Sequence, residues 1–375
     1  MSTLKVDAIR HNSATSDAIT TAADGTCTAK LTSVGGGQLS HRNKVINGGM
    51  VINQRSITSS TYTSTSGEYT LDRFQTAVGS SFNFDATTTQ STDTPDGFIK
   101  SLKITPDSVV TPSGGENGLI HYKMEGQDIQ DLAYGTSSAK SLTISFYAKS
   151  ASSNNNHQYT VQLRTRDSSN AARYVSQAFT VTTSWQRYTM TFAGNTSTAI
   201  REDTATGFEI CFHLSSGPDD IVSAKSTWTT SSAFQTVTGQ SNFMDNTSNE
   251  FYLTGVQLEV GDTATSFEHR SAAEELELCK RYYQQVFFYW NTGSTNSNYL
   301  YYVGGQFHPV MRAAPSLVAG YDNNNENSFE TRDGSTWRTG LPSLISAHTE
   351  GIVLRSNNNV VFNAIKGIAH FAAEL

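Results

Sequence analysis

Residues 251–285 read FYLTGVQLEVGDTATSFEHRSAAEELELCKRYYQQ and order a strand, a tight turn, an anchoring segment and a helix. Val256, Leu258 and Val260 alternate with polar neighbours, the period-2 signature of a half-buried strand, and Leu253 extends it. Gly261-Asp262 breaks the strand. Ser271 then stands as a helix N-cap, with Glu274 three residues on to complete a capping box. Glu274, Glu275 and Glu277 occupy the first turns, and Lys280 and Arg281 the end, an order that suits the helix macrodipole. Leu276, Cys279 and Tyr283 fall at helical spacing, so one face of a helix over 271–285 needs a partner.

Upstream, the same alternation recurs in short runs. Expected strands are Ser81–Thr88, Ile99–Thr105, Gly118–Glu125, Ser141–Ser150, Tyr159–Arg166, Tyr174–Val181, Trp185–Phe192, Gly207–Leu214 and Glu250–Val260. Turn clusters such as TPDG, PSGGENG and SSGPDD separate them, a spacing that predicts a β-sandwich. NKVINGGMVINQRSI at 43–57 reads as two short strands, Val45-Ile46 and Met50–Ile52, around a hairpin turn. After the helix, aromatic runs such as Val286–Trp290 and Tyr299–Val303 predict a second, smaller β-domain over 286–375. Residues 1–42 are too poor in apolar side chains to fold alone and read as an extended segment, with a hinge at Gly35–Gly37. The expected fold class is therefore all-β: an N-terminal extended segment, a sandwich over 43–270, one short helix over 271–285 and a C-terminal β-domain.

Composition narrows the function. Charged residues are only 16% of the 375, while aromatics reach 10%, which points to half-buried strands under a neutral polar surface and away from disorder. Net charge is −7 and no basic run exists, so a nucleic-acid partner is not expected. No apolar stretch approaches the roughly 18 residues of a membrane helix, so membrane insertion is not expected either. The opening MSTLKVDAIRHN lacks the apolar core of a secretory signal. Cys27, Cys211 and Cys279 lie far apart without ligand spacing and read as free thiols, two of them buried.

Three stretches together resemble the tail fibre and receptor-binding proteins of tailed bacteriophages, including those of cyanophages. They are NKVINGGMVINQR with YTLDRF, SLTISFYAKS with SWQRYTMTF, and VQLEVGDTATSFEHRSAAEELELCKRYYQ. The N-terminal STLKVDAI and the closing FHPVMRAAPSL are similar to the ends of the same proteins. The resemblance implies a jelly-roll similar to carbohydrate-binding modules, a homotrimer, attachment to other virion tail proteins through the N-terminus, and recognition of a host surface glycan or lipopolysaccharide. It places the protein in the virion, made in the host cytoplasm. In such proteins receptor contacts lie in variable loops, so no binding residue transfers. Two alternatives differ in class: a purely structural virion adaptor or decoration protein, and a polysaccharide depolymerase.

Candidate sites follow. No histidine pair has metal-ligand spacing such as H-E-x-x-H. The carboxylate pairs Asp128/Asp131, Asp219/Asp220 and Glu202/Asp203 sit in polar loops and read as solvated turn residues, so no catalytic residue is assigned and the chain is not expected to be an enzyme. Jelly-rolls of the resembled class often hold one structural Ca²⁺, for which Asp72, Asp245 and Glu250 would be the ligands; no other cofactor is expected. Trp228, Tyr301 and Trp337 are the aromatics assigned to stacking on a sugar ring, although interfaces enrich the same residue types. Leu276, Cys279 and Tyr283 are expected at the trimer interface.

Overall fold

The computed structural model describes residues 6–10, 19–23, 27–29, 40–55, 60–62, 68–79, 82–230, 235–291, 302–318, 329–333, 336–340, 342–356 and 364–375. Three short antiparallel strands, β1 (Ala8–Ile9), β2 (Ile19–Thr21) and β3 (Cys27–Ala29), form the N-terminal sheet. The body is a sandwich of two sheets. One contains β4 (Ser60–Tyr62), β7 (Phe84–Ser91), β8 (Ser101–Pro106), β10 (Leu142–Ser150), β13 (Gln186–Phe192) and β18 (Phe251–Val260), in the order β13-β10-β18-β8-β7-β4. The other contains β5 (Glu68–Leu71), β6 (Phe74–Gly79), β9 (Asn117–Glu125), β11 (Gln158–Arg166), β12 (Ala172–Thr180), β14 (Thr206–Ser216) and β16 (Lys225–Thr230), in the order β16-β12-β11-β14-β9-β6-β5. A parallel pair, β15 (Ile221–Val222) and β17 (Thr236–Val237), stands apart from both.

Alternation builds the core. Leu142, Ile144, Phe146 and Ala148 of β10 meet Phe208, Ile210, Phe212 and Leu214 of β14, all buried in one cluster. Phe146 is the aromatic hub, with ring centroids 5.0 Å from both Phe179 and Phe212. Each of the nine expected strands has a counterpart in the sandwich, displaced by a few residues at its ends. The hairpin β5–β6 and the edge strand β16 were not among them.

The stretch 251–285 behaves as expected at its start. All ten residues of β18 are buried. Its apolar side passes from Leu253 to Val256, an odd step, because Gly255 sits at φ 61° beside a register shift in the β10 pairing. A side chain at Gly255 would meet the Phe98 ring 2.7 Å away. Residues beyond the strand fold back over it. Glu259 accepts from the Thr265 backbone N–H at 2.9 Å, and Gln257 Oε1 accepts from that of Glu268 at 2.8 Å. Phe267 packs between Phe98 and His269, with centroids 5.0 and 4.8 Å away. Ser271 Oγ accepts the Glu274 N–H at 3.2 Å, closing the N-terminal half of the predicted cap of α1 (Ala272–Lys280).

Three expectations are corrected. The segment 43–52 forms no strands. It is a loop pinned by buried asparagines: Asn43 Oδ1 accepts the Val45 and Leu258 N–H groups, and Asn47 Oδ1 that of Ile52, with Asn47 at φ 60°. The helix ends at Lys280, and Tyr283 already belongs to β19 (Tyr283–Asn291), because that aromatic run pairs along its length with the last strand. The buried helix face is Glu275 and Cys279, at 6% and 1% exposure, while Leu276 keeps part of its surface. Cys279 and Tyr283, 1% exposed each, are buried within their own chain and offer no surface to a neighbouring subunit.

The C-terminal part holds β20 (Tyr302–Gln306), β21 (Ser316–Val318), β22 (Phe329–Asp333), β23 (Thr336–Gly340), β24 (Pro342–His348), β25 (Gly351–Ser356) and β26 (Ala364–Ala372). They make one sheet in the order β19-β26-β22-β23, with β21 also on β26, and another in the order β20-β25-β24. This part is locked to the sandwich. Arg55 and Arg73 of the sandwich pair with Glu374, and Lys123 Nζ donates to the Leu375 carbonyl at 2.8 Å.

Candidate functional site

The second sheet of the sandwich presents an outer face whose polar residues are nearly all buried. Strand β11 turns Tyr159, Val161 and Leu163 inward, so Gln162, Arg164 and Arg166 point out. By the same alternation β14 sends out Glu209, Cys211 and His213, and β9 sends out His121 and Lys123. Yet Gln162, Glu209 and His213 are at most 1% exposed.

Among the described residues, the cover is formed by 217–222 and 235–241. Asn117 Nδ2 donates to Asp220 at 3.0 Å, and Gln162 Nε2 to the Gln235 carbonyl at 2.9 Å. Thr160 Oγ1 donates to Gln240 at 2.8 Å and accepts the Val237 N–H at 3.0 Å. The buried Asn117, Thr160 and Gln162 thereby each recover a bond lost with water. Toward one end of the face lies a cleft of about 600 Å³, lined among the described residues by Arg164, Arg166, Asn170, Ala171, Ala172, Arg173, Thr230 and Gln235.

The cleft floor is charged and ordered. Glu209 bonds His121 Nε2 at 2.9 Å and pairs with the Arg166 guanidinium. Burial by itself would raise the Glu209 carboxyl, but the His121 hydrogen bond and the nearby Arg164 and Arg166 outweigh it and hold it well below the usual carboxylate range. Burial pushes the His121 imidazole down, against the pull of Glu209. It lowers His213 to about 3, with His121 and Arg164 adding to the effect. Arg166 is fixed by Glu209 and by the Asn170 carbonyl at 3.4 Å, and Arg173 by the Ala172 carbonyl at 3.0 Å.

Among the described residues, His121, Glu209 and Cys211 form the group whose ligand atoms lie within 4.8 Å of one another. They do not fit a divalent cation. Burial keeps the Cys211 thiol protonated, Glu209 is committed to Arg166, and Lys123, Arg164 and Arg166 add positive charge around the group.

The residues expected to hold Ca²⁺ do not converge. Asp72 is buried, accepting from the Gln54 N–H and Nε2 at 2.7 Å each, with Arg55 beside it. Asp245 accepts from Asn249 at 2.7 Å, and Glu250 binds Lys103 Nζ at 2.5 Å and the Tyr252 hydroxyl at 2.9 Å. Asp72 and Glu250 already have cationic partners, Arg55 and Lys103. Trp228 lies half-buried on β16, its Nε1 donating to the Ala193 carbonyl at 2.7 Å and its ring edge-on to Tyr134 at 5.4 Å, so the structure gives it a packing role. Trp337 falls in β23 opposite Arg332, and Tyr301 lies outside the described residues. Of the weighed carboxylates, Asp131 pairs with Lys44 at 2.8 Å, Asp203 with Arg201 at 2.6 Å, and Asp220 bonds Asn117.

The cleft residues were not singled out from sequence. Their signal was present: Gln162, Arg164 and Arg166 are spaced by two on one strand of a chain with 26 Lys and Arg in 375 residues. Such a row places three long donors on one face.

No protein-family model matches this chain, and no curated protein matches it. Solved structures do show similarity. A putative sugar binding protein from Bacteroides thetaiotaomicron VPI-5482 aligns over 58% of this chain and 100% of its own, at 9% identity and a TM-score of 0.33. A family 11 carbohydrate-binding module of a Clostridium thermocellum cellulosomal cellulase aligns over 57% and 99%, at 12% identity and a TM-score of 0.29. The enzymatically active domain of tailspike protein 4 from bacteriophage CBA120 aligns over 58% of this chain but only 21% of its own, at 14% identity and a TM-score of 0.29. At these TM-scores the likenesses carry no argument, and the sandwich rests on its own strand pairings.

Proposed function

We propose that this chain is a non-enzymatic, glycan-binding fibre protein of a tailed-phage virion. The observation that carries the reading is the open cleft on the sandwich face. Its lining consists mainly of multi-donor side chains, held in place by strand backbone and by Glu209. Side chains of this kind read hydroxyl and acid groups of a sugar chain by hydrogen bonds, and pre-organisation lowers the entropy cost of doing so.

A second observation supports the fibre reading. The sequence stretches that carry the resemblance to phage fibres meet in space. The Asn47 N–H donates to Glu275 at 2.7 Å, and Arg270 reaches the Val45 carbonyl at 3.1 Å and also bonds that of Asn43. Residues over 200 positions apart thus act as one clasp. In this reading three chains assemble, the N-terminal segment attaches to the virion, and many weak sites add up by avidity.

The test is direct. The purified chain is run in affinity electrophoresis against a panel of acidic and neutral polysaccharides, and its mass is measured by multi-angle light scattering. Retardation by at least one polymer and a three-chain mass are expected. No retardation by any polymer sinks the glycan reading. Release of reducing ends from a bound polymer turns the protein into a depolymerase, and a buried position in a virion map favours a structural adaptor.

A further inference from the structure

The sandwich carries a second concavity, on the side away from the cleft. Strand β10 turns Phe146 and Ala148 into the core, so Tyr147 points outward from the first sheet. Phe98 lies on that outer face, its ring centroid 5.3 Å from that of Tyr147, and closes over Gly255. Phe98, Phe267 and His269 then form a corner of three rings, with centroids 5.0, 4.8 and 5.3 Å apart. These rings line a pocket of about 210 Å³, with Ile99, Arg270 and Glu275 among its other walls. The lining residues and their chain neighbours all lie among the described residues.

The walls are set in advance. Thr94 Oγ1 donates to the Phe98 carbonyl at 2.9 Å and Thr254 Oγ1 to that of Lys100 at 2.8 Å, which fixes the loop bearing Phe98. The Glu268 N–H donates to Gln257 and the Glu268 carboxylate accepts the Asn43 N–H, both at 2.8 Å, which fixes the segment between Phe267 and His269. The charged lining residues are committed to structure. Glu275 accepts from Arg270 at 3.2 Å and from the Asn47 N–H at 2.7 Å, and Arg270 also donates to the Val45 and Asn43 carbonyls. The pocket therefore offers a ligand chiefly apolar and aromatic surface. Its polar handle is His269, which is exposed and has neither ring nitrogen bonded to the chain among the described residues. Ile99, on the same pocket, is 68% exposed.

Resting on the glycan-binding reading above, we infer that this pocket is a second sugar site, which holds one neutral pyranose unit against Phe98, Phe267 and His269. The C–H groups on one face of a pyranose ring are weakly positive and pack on the electron-rich faces of aromatic rings. A sugar hydroxyl bonds an imidazole nitrogen as donor or as acceptor. An anion would find Arg270 already held by Glu275 and two carbonyls. The volume falls below the roughly 300–1,000 Å³ of pockets that enclose a whole drug-sized ligand, so one ring enters and the rest of the chain stays outside. Because the walls are fixed beforehand, little ordering cost falls on binding.

The experiment uses the full chain and three variants: His269→Ala and Ile99→Asp in the pocket, and Arg173→Gln as the control in the cleft. Both pocket positions are exposed, so the thermal midpoint is expected to stay at the wild-type value. Affinity electrophoresis is run in dextran, hydroxyethylcellulose and galactomannan, which are neutral, and in polygalacturonate, and the mass is measured by light scattering. The wild-type chain is expected to be retarded by at least one neutral polymer. His269→Ala and Ile99→Asp each weaken that binding about tenfold, and Arg173→Gln leaves it unchanged. Neutral-polymer binding that both pocket variants keep overturns the inference and leaves the glycan reading standing, and so does binding to polygalacturonate alone. An Ile99→Asp protein of lower mass makes the patch a subunit contact and overturns the inference as well. Binding of no polymer overturns both readings.

Discussion

Arg73 and Glu374, 301 positions apart, form a buried ion pair at 2.5 Å, with the guanidinium carbon of Arg73 3.5 Å over the Tyr282 ring. The second Glu374 oxygen accepts from Arg55 at 2.8 Å, and Arg55 lies 3.8 Å over the Tyr283 ring. One carboxylate from the end of the C-terminal part therefore satisfies two arginines of the sandwich. The two tyrosines that follow the helix stack beneath those arginines, combining cation–π attraction with full burial of both rings. This clasp makes 282–283 the mechanical joint between the sandwich and the C-terminal part.

Glu374→Gln tests the joint. The substitution leaves Arg73, 1% exposed, without its charge partner, and Arg55, 6% exposed, with only Asp72 at 3.9 Å. Removing one partner of a buried pair costs about 3–5 kcal/mol. The urea midpoint is expected to drop accordingly, with early proteolytic release of the C-terminal part. A midpoint equal to wild type removes the clasp from the account.

The contrast between strand and clasp shows what the sequence carries. Strands such as Leu142–Ser150 repeat every second residue, so their existence, and their core face where it was assigned, were legible without coordinates. The helix cap Ser271 with Glu274 was equally local. The clasp and the cleft were not legible, because neither is periodic in one segment. Arg55, Arg73 and Glu374 meet only through the tertiary fold, and so do His121 and Glu209. Outward polar residues such as Gln162 and His213 would be read as solvated, and the return of 235–241 over them makes them buried. The loop at 43–52 misled for a related reason. Its apolar pairs suggested a hairpin, but the buried Asn43 and Asn47 hold it as a loop against β18.

Gly48 is the tight point of that loop. A Cβ placed there would stand 2.1 Å from the Val256 carbonyl oxygen, which is backbone and has nowhere to go. The Gly48 carbonyl also accepts the Val256 N–H at 3.0 Å. Gly48→Ala is expected to destabilise the sandwich by about 3 kcal/mol through overpacking. Equilibrium denaturation measures this, and a loss below about 0.5 kcal/mol means that the loop does not press on β18 as described.

Acid should loosen the covered face before it reaches the apolar core. Burial holds His213 at about 3, against an ordinary value of 6.5, and pushes His121 in the same direction. The unfolded chain therefore binds these protons first as pH falls. Stability from His213 is complete above about pH 6.5 and declines toward pH 3, at about 1.4 kcal/mol per pH unit. His213→Asn removes one titrating group, so its stability-versus-pH slope between pH 6.5 and 5 is expected to be shallower by up to that amount. Parallel slopes for mutant and wild type exclude His213 as a source of acid sensitivity.

Substitutions on helix α1 can test the proposed assembly apart from folding. Cys279 is spent inside its own chain, whereas Leu276 keeps part of its surface and is the residue of the proposed trimer contact still able to face a neighbour. Leu276→Asp is therefore expected to lower the mass measured by light scattering from three chains to one. The unfolding free energy of the sandwich should move by only about 0.5 kcal/mol, as for a surface change. Cys279→Ser should do the reverse, costing about 1–3 kcal/mol for a buried hydroxyl without a prepared partner and leaving the mass unchanged. A trimeric Leu276→Asp protein would take the helix out of the interface, and a monomeric wild-type chain would remove the trimer itself.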